Sequence, residues 1–290
     1  MPFKKWLYPE RLEKMHKQTK ISLVDCPRDA IQGIKMLIPT ADKISYINGL
    51  LQSGLFDYID FGSFVSPKAV PQLADTGLVL EGLESKGASK LIAIIANERG
   101  AELGRAYRQI DYLGYPFSVS DTFQRRNTNR SSVEAFSAIQ TSQAILSDET
   151  SPELMVYMSM AFGNPYGDHW HPEMVGEWMY KLVTIGIRKF SIADTTSAAT
   201  PDAIEKLCSV LYDSFQEVEM SVHLHSRPET ALAKVEAAFT AGCRIFEGAV
   251  MGYGGCPFAQ DELVGNISSE LLLKRFRPQA EGSIDQLKEN

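Results

Sequence analysis

Short apolar, β-branched runs alternate with stretches of helical periodicity about eight times along this chain, and that alternation constrains the fold more than any other feature. The runs fall at 21–25, 58–63, 91–97, 115–120, 155–161, 189–194, 220–225 and 244–250. Between them lie amphipathic stretches at 40–52, 131–147, 172–185, 201–215 and 229–240. Local punctuation agrees with the pattern. Thr200 precedes Pro201 as an N-cap with proline at the first helical position, and Gly54, Gly186 and Gly242 follow the ends of helical stretches. Repeated strand–helix units imply a parallel sheet, and eight of them close into a (β/α)8 TIM barrel, whose active site forms at the C-terminal ends of the strands. An open doubly wound sheet is the alternative, but its GxGxxG fingerprint is absent. The weakest run is the fourth, where the stretch over 110–120 is broken by Gly114 and Pro116.

The length of 290 residues fits one such barrel, which typically needs about 250. The expected organisation is a single domain over 1–290, with an N-terminal extension over 1–19, a last helix over 268–275 and a polar tail over 277–290. A formal charge of −7 argues against a nucleic-acid or membrane-surface binder and leaves room for a small anionic ligand. The four cysteines form no CxxC pair, as expected in a reducing compartment. The N-terminus lacks the apolar run of a secretory signal, and no stretch approaches the roughly 18 apolar residues of a membrane span. These features predict a cytoplasmic protein. The oligomeric state is left open, a homo-oligomer included.

Polar, reactive residues gather where the strands should end. The first run leads into Arg28 and Asp29, the second holds Asp60 and ends at Ser63, and the third ends at Asn97. The sixth carries Asp194 and the seventh His223 and His225, while Gly254, Gly255, Cys256 and Asn266 follow the eighth. Residues i and i+2 of a strand share a face, so both imidazoles should enter the barrel while Val222 and Leu224 face the helices. Two histidines with a carboxylate (Asp29) and an amide oxygen (Asn266) make a mixed N/O donor set for a divalent ion such as Mg²⁺, Mn²⁺ or Zn²⁺. Arg28 reads either as a surface ion pair with Asp29 or as a fixed cation that steadies an oxyanion. Cys256 reads either as a small buried hydrophobe or, on its glycine loop, as an acid or base. Asp60 and Asp194 suit orienting roles behind these groups. The basic segment over 124–130, with Arg125, Arg126, Asn127 and Arg130, is a candidate phosphate-binding patch or simply a solvated loop.

Read in order, these motifs resemble 3-hydroxy-3-methylglutaryl-CoA lyase, within the wider metal-dependent lyase and synthase superfamily. The resemblance rests on ProArgAsp at 27–29, SerPheValSerProLys at 63–68, AsnProTyr at 164–166, AspThr at 194–195, HisLeuHis at 223–225 and GlyGlyCysPro at 254–257. It runs from about residue 20 to 275. It implies that Asp29, His223, His225 and Asn266 bind Mg²⁺ or Mn²⁺, that Arg28 steadies the negative oxygen formed as the C2–C3 bond of an acyl-CoA substrate breaks, and that Cys256 protonates the enolate carbon. It implies that Asp60 and Asp194 position the metal shell or Arg28. The expected products from 3-hydroxy-3-methylglutaryl-CoA are acetyl-CoA and acetoacetate; a related aldolase, lyase or synthase acting on another hydroxy acid or hydroxyacyl-CoA is the alternative.

Several residues depart from the family pattern. Ala30 replaces a glycine, Asp60 a glutamate and Met155 an arginine; Ser226 and Arg227 stand where Asp and Thr are usual, and the segment from Cys256 to Asn266 is one residue longer. Because Arg227 adds a cation and Met155 removes one, the expectation is that the charge meeting the substrate has moved, with Arg227 among the substrate contacts.

Overall fold

The computed structural model describes residues 20–255 and 264–284. Eight parallel strands close into a barrel in chain order, β1 (Ser22–Asp25), β2 (Tyr58–Ser63), β3 (Lys90–Ile94), β4 (Tyr112–Ser118), β5 (Glu153–Ser159), β6 (Lys189–Asp194), β7 (Glu219–Leu224) and β8 (Ile245–Gly248). Closure is made by β1 against β8, in register from Ser22↔Ile245 to Asp25↔Gly248. The helices are α1 (Pro27–Gln32), α2 (Thr40–Ser53), α3 (Thr76–Glu81), α4 (Glu98–Arg105), α5 (Asp121–Thr128), α6 (Ser132–Ile145), α7 (Pro172–Thr184), α8 (Pro201–Ser214), α9 (Pro228–Thr240) and α10 (Ser269–Phe276). Among the described residues no helix is long and apolar enough to cross a membrane.

Strand alternation divides the apolar residues into two sets. Leu23, Ile59, Leu91, Val156, Val222 and Leu224 join the large core between barrel and helices. Val24, Ile92, Ile94, Tyr112, Met155, Tyr157 and Ile245 pack inside the barrel. The caps form as the sequence predicts: Thr200 Oγ1 accepts from Ala203 N at 3.2 Å. Ser131 and Glu134 form a reciprocal capping box at the start of α6.

The fourth strand shows why its sequence reads poorly. The Gly114 carbonyl accepts from Ile95 N at 2.9 Å, so Gly114 turns its polar groups toward β3 and Pro116, two residues on, turns the same way. The β3–β4 ladder stops at Ile94↔Gly114, so no strand bond is forfeited by the proline. Gly114 faces the interior, where a Cβ would come within 2.6 Å of the Tyr157 ring and 2.8 Å of Ile94. Both apparent interruptions thus fit the barrel.

The C-terminal segment is more than a polar tail. Arg277 hydrogen-bonds the Leu55 carbonyl and the Asp57 carboxylate across the N-terminal end of the barrel, and Ile284 is buried.

Candidate active site

At the C-terminal ends of the strands opens a cavity of about 550 Å³, lined by Arg28, Asp29, Gln32, His223 and His225 together with residues from the loops after β2, β3 and β4. Its inner wall carries four hydroxyls, from Ser63, Tyr157, Ser159 and Thr195. The short β1 feeds directly into α1, whose first turn places Arg28 and Asp29, both buried, against the mouth of the barrel.

One donor atom each from Asp29, His223 and His225 lies within 4.8 Å of the others. Each is prepared differently. Burial raises the Asp29 carboxyl, but Arg28 and the two imidazoles outweigh it and hold the group well below the usual carboxylate range. His223 Nδ1 is 3.0 Å from Glu247 Oε2, and Ser221 Oγ donates to the other oxygen of that carboxylate. A proton held on Nδ1 by this glutamate leaves Nε2 as the free ligand atom. His225 is pushed down to about 4, first by burial and then by His223, so its ring is neutral at neutral pH. Its Nδ1 is buried without a hydrogen-bond partner.

Asn266 completes the set. Its Nδ2 donates to Asp29 Oδ2 at 2.7 Å and to the Tyr253 carbonyl at 2.8 Å, which leaves Oδ1 to serve as a ligand. An ionised carboxylate, two imidazoles, an amide oxygen and a buried nitrogen that lacks a partner among the described residues fit a divalent cation. Gly254 makes the closure possible. A Cβ there would stand 2.7 Å from Asn266 Nδ2 and 2.7 Å from the Asp29 carbonyl, on a backbone with φ +107°.

Arg28 is not a surface ion pair. Its Nε donates to Asp60 at 3.0 Å, its Nη2 to the same carboxylate, and its Nη1 to Asp29 at 3.1 Å and Gln32 at 3.2 Å. Of the five guanidinium N–H groups, one on Nη2 is left for a ligand. Asp60 itself is fully buried and pushed up to about 6, because burial outweighs the pull of Arg28.

Three expectations need correcting and a fourth is narrowed. Of the two roles expected for Asp194, the one beside Arg28 falls away; its carboxylate meets Lys234 Nζ at 2.7 Å and the Ala199 amide at 3.2 Å, and its carbonyl accepts from the His225 N–H. Arg125 turns outward from α5 to an exposed pair with Asp121 at 2.8 Å, while Arg126 and Asn127 line the cavity. Arg126 also lies over the Tyr166 ring, 5.1 Å from its centroid. Arg227 opens on a separate recess of about 330 Å³ beside Ser226, Met251 and Gly265, on the far side of Asn266. Met155 packs inside the barrel with Val24, Ile92 and Ile245, one inward position deeper than Tyr157, away from the ligand cavity. Cys256 lies outside the described residues. Arg130 lines the cavity but is engaged by Glu98 at 2.8 Å.

Three contributors were not anticipated. Glu247 orients His223, Gln32 braces both Arg28 and Asp29, and Tyr157 presents a buried hydroxyl without a hydrogen-bond partner. A carboxylate at mid-strand between apolar neighbours, two positions after the inward-facing Ile245, was the available signal for Glu247.

The HMGL-like family model matches residues 20–280. The chain belongs to the HMGL-like family. It is 32% identical over 268 residues to (R)-citramalyl-CoA lyase of Chloroflexus aurantiacus, covering 88% of this chain and 83% of that one. It is 33% identical over 246 residues to a hydroxymethylglutaryl-CoA lyase of Bacillus subtilis, covering 84% and 80%. An HMG-CoA lyase structure from Acinetobacter baumannii, in complex with coenzyme A and 3-methylmalate, superposes with a TM-score of 0.85 at 27% identity, covering 92% of this chain and 88% of that one. As a member of the HMGL-like family, the chain is a carbon–carbon lyase.

Proposed function

We propose that this lyase cleaves a short, branched 3-hydroxyacyl-CoA in a divalent-metal-dependent reaction, with 3-hydroxy-3-methylglutaryl-CoA and citramalyl-CoA as the first two candidates. The observation that carries the reading is the convergence of Asp29, His223 and His225 within 4.8 Å beside the buried Arg28. Both candidates place a tertiary alcohol on C3, so loss of the hydroxyl proton and rupture of C2–C3 release a carbonyl compound and leave the acetyl-CoA enolate. They differ by one methylene between C3 and the free carboxylate.

Asp29, His223, His225 and Asn266 would hold the cation. When bound, it supplies Lewis-acid polarisation of the reacting oxygens and a template for their geometry. Arg28, fixed by Asp60, Asp29 and Gln32, turns its remaining Nη2 proton toward the oxygen on which enolate charge develops. Being already locked, it needs no reorganisation as that charge appears. The hydroxyls of Tyr157, Ser159 and Thr195 offer hydrogen bonds to the substrate's own carboxylate. Arg126 at the cavity rim suits the phosphates of coenzyme A. Cys256, placed by sequence beside Gly254 and Gly255, is the proposed proton donor to the enolate carbon.

The test is steady-state kinetics across a series of 3-hydroxyacyl-CoA esters that lengthens the carboxylate arm one methylene at a time, with Mn²⁺ and with EDTA. A metal-dependent optimum within the branched esters supports the reading. Cleavage of none of them with Mn²⁺ restored refutes it.

A further inference from the structure

Of the two histidines, only His223 has a side-chain partner that orients its ring. His225 follows Leu224, the last residue of β7, its ring hydrogen-bonds only backbone, at Gly265, its main chain pairs with Asn266 in an isolated bridge, and among the described residues no group hydrogen-bonds its Nδ1. A ring that no side chain braces depends on its main chain for its position. Both main-chain polar groups of His225 are tied to Asp194, one directly and one through Lys234. Its N–H donates to the Asp194 carbonyl at 3.3 Å. Its carbonyl accepts from Lys234 Nζ at 2.9 Å, and that ammonium in turn meets Asp194 Oδ2 at 2.7 Å.

Lys234 is an unusual residue to find here. It projects from α9 into the layer between barrel and helices, with its side chain only 4% exposed, and Asp194 only 1%. A buried lysine is costly unless its charge is paired and its three protons are bonded. Here all three are used, the third going to Ser197 Oγ at 3.0 Å. Ser197 reaches that position on a left-handed backbone, with φ +58°. Non-glycine residues adopt such a conformation at a cost of order 1–3 kcal/mol and keep it where surrounding structure demands it. The knot therefore gathers α9, the loop after β6 and the end of β7 at the back of one ligand.

We propose that Lys234 is a positioning residue that fixes the main chain of His225 and thereby sets the affinity of the cation site. The inference rests on the reading that Asp29, His223, His225 and Asn266 bind a divalent cation. Lys234 touches neither cation nor substrate; it acts through His225.

The experiment measures Mn²⁺ binding to the full chain by calorimetry, beside thermal unfolding in EDTA. Lys234→Met keeps the length of the side chain but strands the Asp194 charge, so it should lower the melting temperature as well as the affinity. The double variant Asp194→Asn/Lys234→Met removes the stranded charge and should recover the melting temperature. Its Mn²⁺ affinity should remain about 10–100-fold below that of the unaltered protein, the usual effect of losing a group that orients a metal ligand. Ser197→Gly, which relaxes the left-handed backbone and removes one acceptor, should fold normally and weaken Mn²⁺ severalfold. Unaltered Mn²⁺ affinity in a folded double variant overturns the proposal, as does unaltered affinity in Ser197→Gly should the other two not fold. Failure of the unaltered protein to bind Mn²⁺ refutes the cation reading itself, a result distinct from these.

Discussion

Asp25 ends β1 pointing away from the barrel axis, fully buried beside the Val250 backbone, with one oxygen accepting from Ser269 Oγ and the other without a side-chain partner among the described residues. Burial is the main reason its carboxyl is pushed up from 3.8 to about 7, with Glu270 and Asp60 adding like charge against the Ser269 bond. The native state therefore retains a proton that the unfolded chain gives up. Its stabilisation is fully present below pH 4 and is lost as the pH rises through about 7. At about 1.4 kcal/mol per pH unit over that interval, the loss is about 4 kcal/mol. His225, pushed down to about 4, works with the opposite sign: its contribution is present above the unfolded histidine value and lost as the pH falls through about 4. The raw profile mixes the two, so the useful quantity is a difference. Urea unfolding of the unaltered protein and of Asp25→Asn, from pH 4 to pH 8.5 in EDTA, should show the difference in unfolding free energy shifting by about 4 kcal/mol in favour of the variant as the pH rises. The asparagine brings its own constant offset, which does not affect the slope. Parallel profiles would falsify the assignment of a buried neutral acid to Asp25.

Other outcomes follow from the site geometry. Arg28→Lys keeps the charge but loses the fork that engages Asp60, Asp29 and Gln32, and should lower kcat by ~10²-fold or more while leaving Mn²⁺ bound. Arg126→Ala should raise KM for the CoA ester by up to about fivefold, as befits one exposed charge, whereas Arg125→Ala should change neither kcat nor KM. Gly254→Ala should weaken Mn²⁺ binding, because the new methyl would meet Asn266 and the Asp29 carbonyl at 2.7 Å; a calorimetric titration reads this directly.

The barrel is legible in the sequence because period-two and period-3.6 patterns alternate regularly, and β2 and β6 fall on their expected residues. The proposed ligand set is legible because strand parity sends His223 inward and Val222 and Leu224 outward. What parity cannot give is depth. Met155 and Tyr157 share an inward face, yet two residues span roughly 6–7 Å of strand, enough to separate the inner core from the ligand cavity. Adjacent basic residues mislead for a related reason. The segment of Arg125 and Arg126 is a helix, and successive helical positions point about 100° apart, so only one of them can face the site. The sequence places Asp194 behind either the metal shell or Arg28 and cannot choose between them; the choice follows from Lys234 of α9, a contact that no local pattern encodes. Lys234 nonetheless leaves a trace, falling at i+3 from Ala231 and i−4 from Ala238 on the buried face of its helix.

The activity proposed for this chain is metal-dependent rupture of a carbon–carbon bond in a 3-hydroxyacyl-CoA. The most direct measurement is chromatographic quantitation of products from 3-hydroxy-3-methylglutaryl-CoA and from citramalyl-CoA, with protein stripped by EDTA and then given excess Mn²⁺. The expected result is acetyl-CoA in equal amount with acetoacetate or pyruvate respectively, from at least one of the two, only after Mn²⁺ is restored. Acetyl-CoA release that persists undiminished in the stripped protein would contradict it.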